Sequence, residues 1–165
     1  MNSFFLDASA LIKRYTLEAG SALLNHLFSQ VTPDRFAALT VGVAEVASII
    51  VRKRNDGRIT ARVGAKALAD LGTEVIHDPS FLKFEVTNAM LPPVIPLIST
   101  HSINSTDAFV LFAALELVKK LRSRGDDLVL VSSDHQLLKA ARAEGLTTFD
   151  PATQSQADLD ALIGP

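Results

Sequence analysis

Cysteine is absent from the 165-residue chain, so disulfides, thiolate zinc sites and cysteine nucleophiles are excluded by count. A basic excess is missing too: 16 Lys and Arg stand against 18 Asp and Glu, for a formal charge of -2. That balance argues against a domain that holds nucleic acid by bulk positive charge. No basic, apolar leader opens the chain, because Phe4-Phe5-Leu6 meets a carboxylate at Asp7, unlike a secretory signal. Long apolar runs are also lacking; residues 108–115 are followed by Glu116, Lys119 and Lys120, far short of a bilayer span. Neither a GxGxxG nor a Walker loop occurs, which weakens dinucleotide and NTP readings. What remains is a soluble, cytoplasmic protein with no membrane role. Its composition is ordinary, 48% apolar and 21% charged, and its length suffices for a single core.

Short apolar runs alternate with longer stretches of helical period, the pattern of an α/β fold with a parallel sheet. Strands are expected at residues 4–6, 36–40, 94–98, 128–131 and 147–149. Helices are expected at 9–15, 19–30, 41–55, 60–77, 79–90, 106–124 and 135–144. The stretch 60–90 then has no strand and forms a helical pair over one sheet edge. Residues 1–150 make one domain, and 151–165, mostly small and polar, a loosely docked tail.

Three acids stand where a strand hands over to a helix: Asp7, Asp134, and Asp107, which opens the long helix. Parallel strands end on a common edge, where ligands bind, so the three carboxylates converge. Each alone is better explained as a helix cap. Capping does not explain Glu45, which lies inside the helix 41–55. At about 100° per residue, Glu45, Ser48, Arg52 and Asn55 form one polar stripe on a largely apolar helix. The stripe is either the solvated edge of that helix or a device that aims Glu45 at the same edge as the three Asp.

Two carboxylates about 4 Å apart repel by about 4 kcal/mol at an effective dielectric of about 20, so a four-acid cleft needs a counter-charge. No Lys or Arg is adjacent to all four. A divalent cation supplies the charge, and an all-oxygen donor set selects Mg2+ or Mn2+ over zinc. Hard cations on carboxylates are the usual equipment of phosphodiester hydrolysis.

At these residues the chain resembles the PIN-domain family and, within it, the VapC-type toxins. The matching pieces are Phe5-Leu6-Asp7-Ala8-Ser9-Ala10-Leu11, Val43-Ala44-Glu45-Val46, Ser105-Thr106-Asp107-Ala108-Phe109 and Val131-Ser132-Ser133-Asp134-His135-Gln136-Leu137, in the family's order. The resemblance implies a three-layer α/β/α sandwich with a five-stranded parallel sheet and a Mg2+- or Mn2+-dependent endoribonuclease. It also implies an RNA substrate, a VapB-like antitoxin and a homodimer. Asp7 and Asp107 are then the principal metal ligands, Glu45 completes the cluster and orients or deprotonates water, and Asp134 is the fourth acid. Ser9, Ser133 and Asn104 support the carboxylates. The longer stretch 60–90 and the tail depart from a compact toxin. A PIN nuclease with another RNA-processing task and a catalytically silent PIN-like scaffold are the alternatives.

Lys13, Arg14 and Arg52 are candidate phosphate contacts, or else solvated helix faces. His101 and His135 flank the acids, but with a metal to acidify water no His base is needed. Set aside the four acids, and 16 basic residues face 14 acidic ones (18 less four). A net charge of -2 is therefore compatible with a nucleic-acid substrate.

Overall fold

The computed structural model describes residues 1–164. Five parallel strands, β1 (Asn2–Leu6), β2 (Phe36–Leu39), β3 (Leu82–Phe84), β4 (Asp127–Val131) and β5 (Thr147–Phe149), form one sheet in the order β3-β2-β1-β4-β5. The three inner strands are buried on both faces and so read as continuous apolar runs. Their side chains still alternate: Phe4 and Leu6, Phe36 and Ala38, Val129 and Val131 enter one core, while Phe5, Ala37 and Leu39, Leu128 and Leu130 enter the other.

Helices α1 (Ala8–Tyr15), α2 (Ser21–Gln30), α3 (Thr40–Asn55) and α4 (Ala61–Leu71) cover the Phe4 face. Helices α5 (Leu91–His101), α6 (Ser105–Arg122) and α7 (His135–Ala143) cover the Phe5 face, and α8 (Gln156–Ile163) returns to the first. This is the expected three-layer α/β/α sandwich. The chain lays down β1, β2 and β3 outward, then crosses back to place β4 against β1. Strand order thus reverses between β1 and β4, and the crevice beyond their carboxyl ends is where such a sheet binds ligands.

Two elements exchange roles relative to the sequence reading. Residues 94–98, expected as a strand, lie within α5, and the strand beside β2 is Leu82–Phe84, inside the helix expected at 79–90. A short apolar run does not by itself distinguish a strand from a buried helical turn. Pro92 and Pro93 decide it: both sit in the first turn of α5, where no N–H is needed and φ is already helical. β3 is a three-residue edge strand with Leu82 exposed, too short to carry an alternating apolar pattern of its own. Phe84 packs against Phe5 with tilted rings 5.8 Å apart, and Lys83 Nζ donates to the carbonyls of Val75, Asp78 and Phe81.

The tail is a correction as well. Residues 156–163 form α8, opened by a capping box between Ser155 and Asp158. Leu159 is fully buried, and the Leu162 and Ile163 carbonyls accept from Asn2 and Arg35. Gly20, at φ +90, lies so close to Pro151 that a Cβ there would meet its carbonyl oxygen at 2.3 Å. The segment up to residue 164 is therefore part of the domain; Pro165 lies outside the described residues. No described helix is long and apolar enough to cross a membrane.

Candidate active site

Asp7 ends β1 and caps α1. Its Oδ2 accepts from Ser9 N (3.2 Å), Ser9 Oγ (2.6 Å) and Ser132 Oγ (3.0 Å), and its own N–H continues the ladder to Val131 O. Asp134 caps α7 in the same way, with Oδ1 accepting from Gln136 N and Leu137 N at 2.8 and 2.9 Å. Asp107 stands in the first turn of α6, whose cap is Asn104. Asn104 Oδ1 accepts from Asp107 N (2.9 Å), and its Nδ2 donates to Asp107 Oδ2 (2.7 Å). Glu45 is exposed in the second turn of α3 and takes no hydrogen bond among the described residues.

Asp7 and Asp134 cap their helices while Asp107 is held by the Asn104 cap, and each uses only one carboxylate oxygen, so these roles are compatible with convergence. Asp7 Oδ1, Asp107 Oδ1 and Asp134 Oδ2 accept nothing from the described residues. All four acids line one cleft of about 370 Å3, together with Ser9 and Asn104. None of the four is in a salt bridge among the described residues. Burial first, and then the charges of Asp134, Asp7 and Glu45, push the Asp107 pKa up to about 7.

Among the described residues, no three acidic or imidazole side chains close into a ready-made metal cage. The charges of Asp134, Asp7 and Glu45 nevertheless act on Asp107, so the four acids share one cleft without closing into a cage. That arrangement fits Mg2+, which keeps several waters and binds through one or two carboxylates, better than a fully protein-caged ion. The all-oxygen donor set with unused lone pairs fits Mg2+ or Mn2+.

Two residues went unnoticed in the sequence. Ser132, fully buried, is the serine that donates to Asp7, and its Oγ also accepts from Asp134 N (3.0 Å). Ser133 turns its hydroxyl to Asp150 instead (2.9 Å), while its N–H donates to Ser9 Oγ (2.9 Å). Asp150, at the end of β5, is a fifth acid on this edge. Burial opposes its ionisation, but hydrogen bonds from Ala152 N, Thr153 and Ser133 outweigh it and hold the carboxyl below its ordinary value. The strand-then-Asp pattern that marks Asp7 was present at Phe149-Asp150 as well.

Lys13 and Arg14 lie at the far end of α1, outside the acidic cleft. The Lys13 side chain is 8% exposed with Nζ 3.5 Å from Glu18, and Arg14 is forked on Glu74 and bonded to Asn25. Nearness to Asp7 in sequence did not translate into facing it, because α1 carries them nearly two turns away. Arg52 is exposed on the Glu45 stripe of α3 and has no ion pair among the described residues.

No family model and no curated protein sequence matches the chain. Solved structures do. PAE2754 from Pyrobaculum aerophilum is 21% identical, with 96% of each chain covered and a TM-score of 0.61. FitAcB from Neisseria gonorrhoeae is 17% identical over 92% of this chain and 99% of that one, at 0.57. VapC20 from Mycobacterium tuberculosis, a sarcin-ricin loop cleaving toxin, is 17% identical over 84% of this chain and 95% of its own, also at 0.57. Identities this low speak for the fold, and the chain has the PIN-domain fold in its VapC-like form.

Proposed function

We propose that the protein is a Mg2+- or Mn2+-dependent endoribonuclease, the toxin of a VapBC-type pair. The observation that carries this reading is the convergence of Asp7, Glu45, Asp107 and Asp134 on one cleft without a cation of the chain's own. A similar fold in a toxin that cleaves the sarcin-ricin loop supports RNA as the substrate.

In this mechanism Asp7 and Asp107 would hold the ion, with Glu45 and Asp134 completing the set of four carboxylates. Mg2+ or Mn2+ bound there would lower the pKa of water and offset charge on the phosphate oxygens. Glu45, with both oxygens unbonded, takes the proton of the attacking water as its oxygen bonds to phosphorus. The opposite P–O bond breaks, and the departing sugar oxygen is protonated from solvent. Ser9 and Asn104 keep the carboxylates in place, Ser133 supports Ser9, and Arg52 contacts a substrate phosphate from the α3 side. Exposed Leu91 and Ile95 on α5, at 50% and 63%, support a protein partner; the partners in this reading are a VapB-like antitoxin and a second copy of the chain.

Asp7→Asn and Asp107→Asn should each abolish cleavage of single-stranded RNA in Mn2+ while the circular dichroism spectrum is retained. Undiminished cleavage by both would sink the assignment. A short neighbouring frame encoding a DNA-binding antitoxin tests the toxin role separately.

A further inference from the structure

A second cavity of about 370 Å3 lies at the start of the loop that joins α5 to α6. One wall is the end of α5, with His101 and Ser102; the other is α7, with Gln136 and Lys139, and Ala140 and Ala143 add apolar lining. Its walls continue those of the acidic cleft. Ser102 and Asn104 belong to one loop, and Gln136 donates its N–H to Asp134 within one helix cap. Residues two apart span at most about 7 Å, so the rims of the two cavities adjoin at both walls.

The cavity is held by specific contacts. His101 Nε2 pairs with Glu144 Oε1 at 2.7 Å, tying α5 to the end of α7. Ser102, at φ +53, is the only non-glycine residue with positive φ among the described residues; a left-handed turn there ends α5 and directs the chain toward Asn104. Glu144 is occupied by His101, and Lys139 is exposed without an ion pair among the described residues. The acidic cleft has no Lys or Arg in its own lining, so on this side of it Lys139 is the cation available to a phosphate.

We infer that this cavity is a nucleotide subsite for the RNA residue next to the scissile bond. Lys139 Nζ takes that residue's further phosphate, and the Gln136 amide and Ser102 hydroxyl meet base and ribose groups. The volume is that of a small-ligand site. A flexible ammonium suits a phosphate as a point charge, and single-stranded RNA is read by amide and hydroxyl contacts to exposed base edges. The inference rests on the endoribonuclease reading above.

The test uses the full chain and a fluorescein-labelled, 2′-O-methylated single-stranded hexanucleotide. Lys139→Ala is expected to weaken binding about tenfold and to reduce the slope of log affinity against log salt by about 0.7, the loss of one phosphate contact. Gln136→Ala weakens binding without altering that slope. Lys120→Ala, at an exposed cation about 20 Å further along α6 than Asp107, changes neither. On an unmethylated hexanucleotide, Lys139→Ala raises KM with kcat unchanged, and on a dinucleoside monophosphate, which has no further phosphate, it has no effect. No probe binding, equal behaviour of the Lys139 and Lys120 variants, or Lys139-dependent binding of an acidic peptide in place of the probe overturns the subsite. If the wild type binds the probe through Lys139 yet cleaves no RNA in Mn2+, the nuclease reading fails instead.

Discussion

Helices α1 and α3 lie side by side, and their two ends resolve charge in opposite ways. At the carboxyl ends, Glu18 accepts from Lys53 and sits 3.5 Å from Lys13, and Arg14 is forked on Glu74. Burial works against the Glu18 carboxylate, yet the Lys53 hydrogen bond and charge hold its pKa below the ordinary value. At the amino ends, Asp7 and Glu45 face Asp107 and Asp134 with no cation, and Asp107 is pushed up to about 7. The helix dipole favours acids at one end and bases at the other, but it does not explain why one end is paired and the other is not. Lys13, Arg14 and Lys53 are about 12 Å away, the length of α1, and all three are engaged elsewhere, while Arg52, without an ion pair among the described residues, does not line the acidic cleft. The acid end thus has no cation in its own lining, whereas the basic end is paired.

The harshest way to break this contrast is to give the acid end its own cation. Ile49 lines the cleft one turn beyond Glu45, so Ile49→Lys places an ammonium four residues after the glutamate, a favourable pairing. Cleavage should fall by at least the roughly hundredfold that disturbing a metal site costs, and Mn2+ should no longer raise the melting temperature. The converse change strands an acid at the paired end. Lys53→Met should cost about 2 kcal/mol, the worth of a hydrogen bond between charged groups, and lower Tm by roughly 4–8 °C. Its RNA cleavage at moderate temperature should match the wild type.

A smaller effect, a few degrees in Tm, separates the two ends by pH. Asp107 has its folded pKa raised to about 7 from an ordinary 3.8, so between those values the folded state binds more protons than the unfolded state. Stability of the metal-free protein should therefore be fullest near pH 4 and fall as pH rises through about 7. Glu18 and Asp150, with lowered values, act in the opposite sense and only at lower pH, where stability is lost on acidification. Melting curves in EDTA from pH 5 to 8 should show the decline, and Asp107→Asn or added Mn2+ should flatten it. A flat wild-type profile would mean that the four acids do not press on one another.

Sequence patterns revealed the acid end better than the paired end. A β-rich run followed by Asp and then a helical period marks Asp7 and Asp134, and the polar stripe on an apolar helix marks Glu45; these are local signals. The partners at the other end, Glu18 with Lys53 and Arg14 with Glu74, are 35 and 60 residues apart and left no local trace. The same limit explains the exchange of residues 94–98 for Leu82–Phe84, since an edge strand is defined by its neighbour rather than by its own composition. It also explains α8, whose docking rests on one fully buried leucine and on carbonyls claimed by distant side chains.

The adjacent serines, 132 and 133, sharpen the comparison at its finest scale, because the family resemblance puts Ser133 beside the carboxylates and the structure puts Ser132 there. The structure gives Ser132 to the cluster, donating to Asp7 and accepting from Asp134 N, and Ser133 to Asp150. Ser132→Ala should free the Asp7 carboxylate to rotate and leave the Asp134 amide unpaired, weakening Mn2+ affinity about tenfold. Ser133→Ala keeps the N–H that donates to Ser9 and loses only the bond to Asp150. It should cost about 1 kcal/mol of stability with Mn2+ affinity unchanged. The measurement is the Mn2+ concentration at half-maximal cleavage, with Tm recorded beside it. Equal Mn2+ affinities in the two variants would show that the orientation of Asp7 is fixed by the α1 cap alone, through Ser9, and that β4 contributes a backbone to the acid end but no hydrogen bond that matters to it.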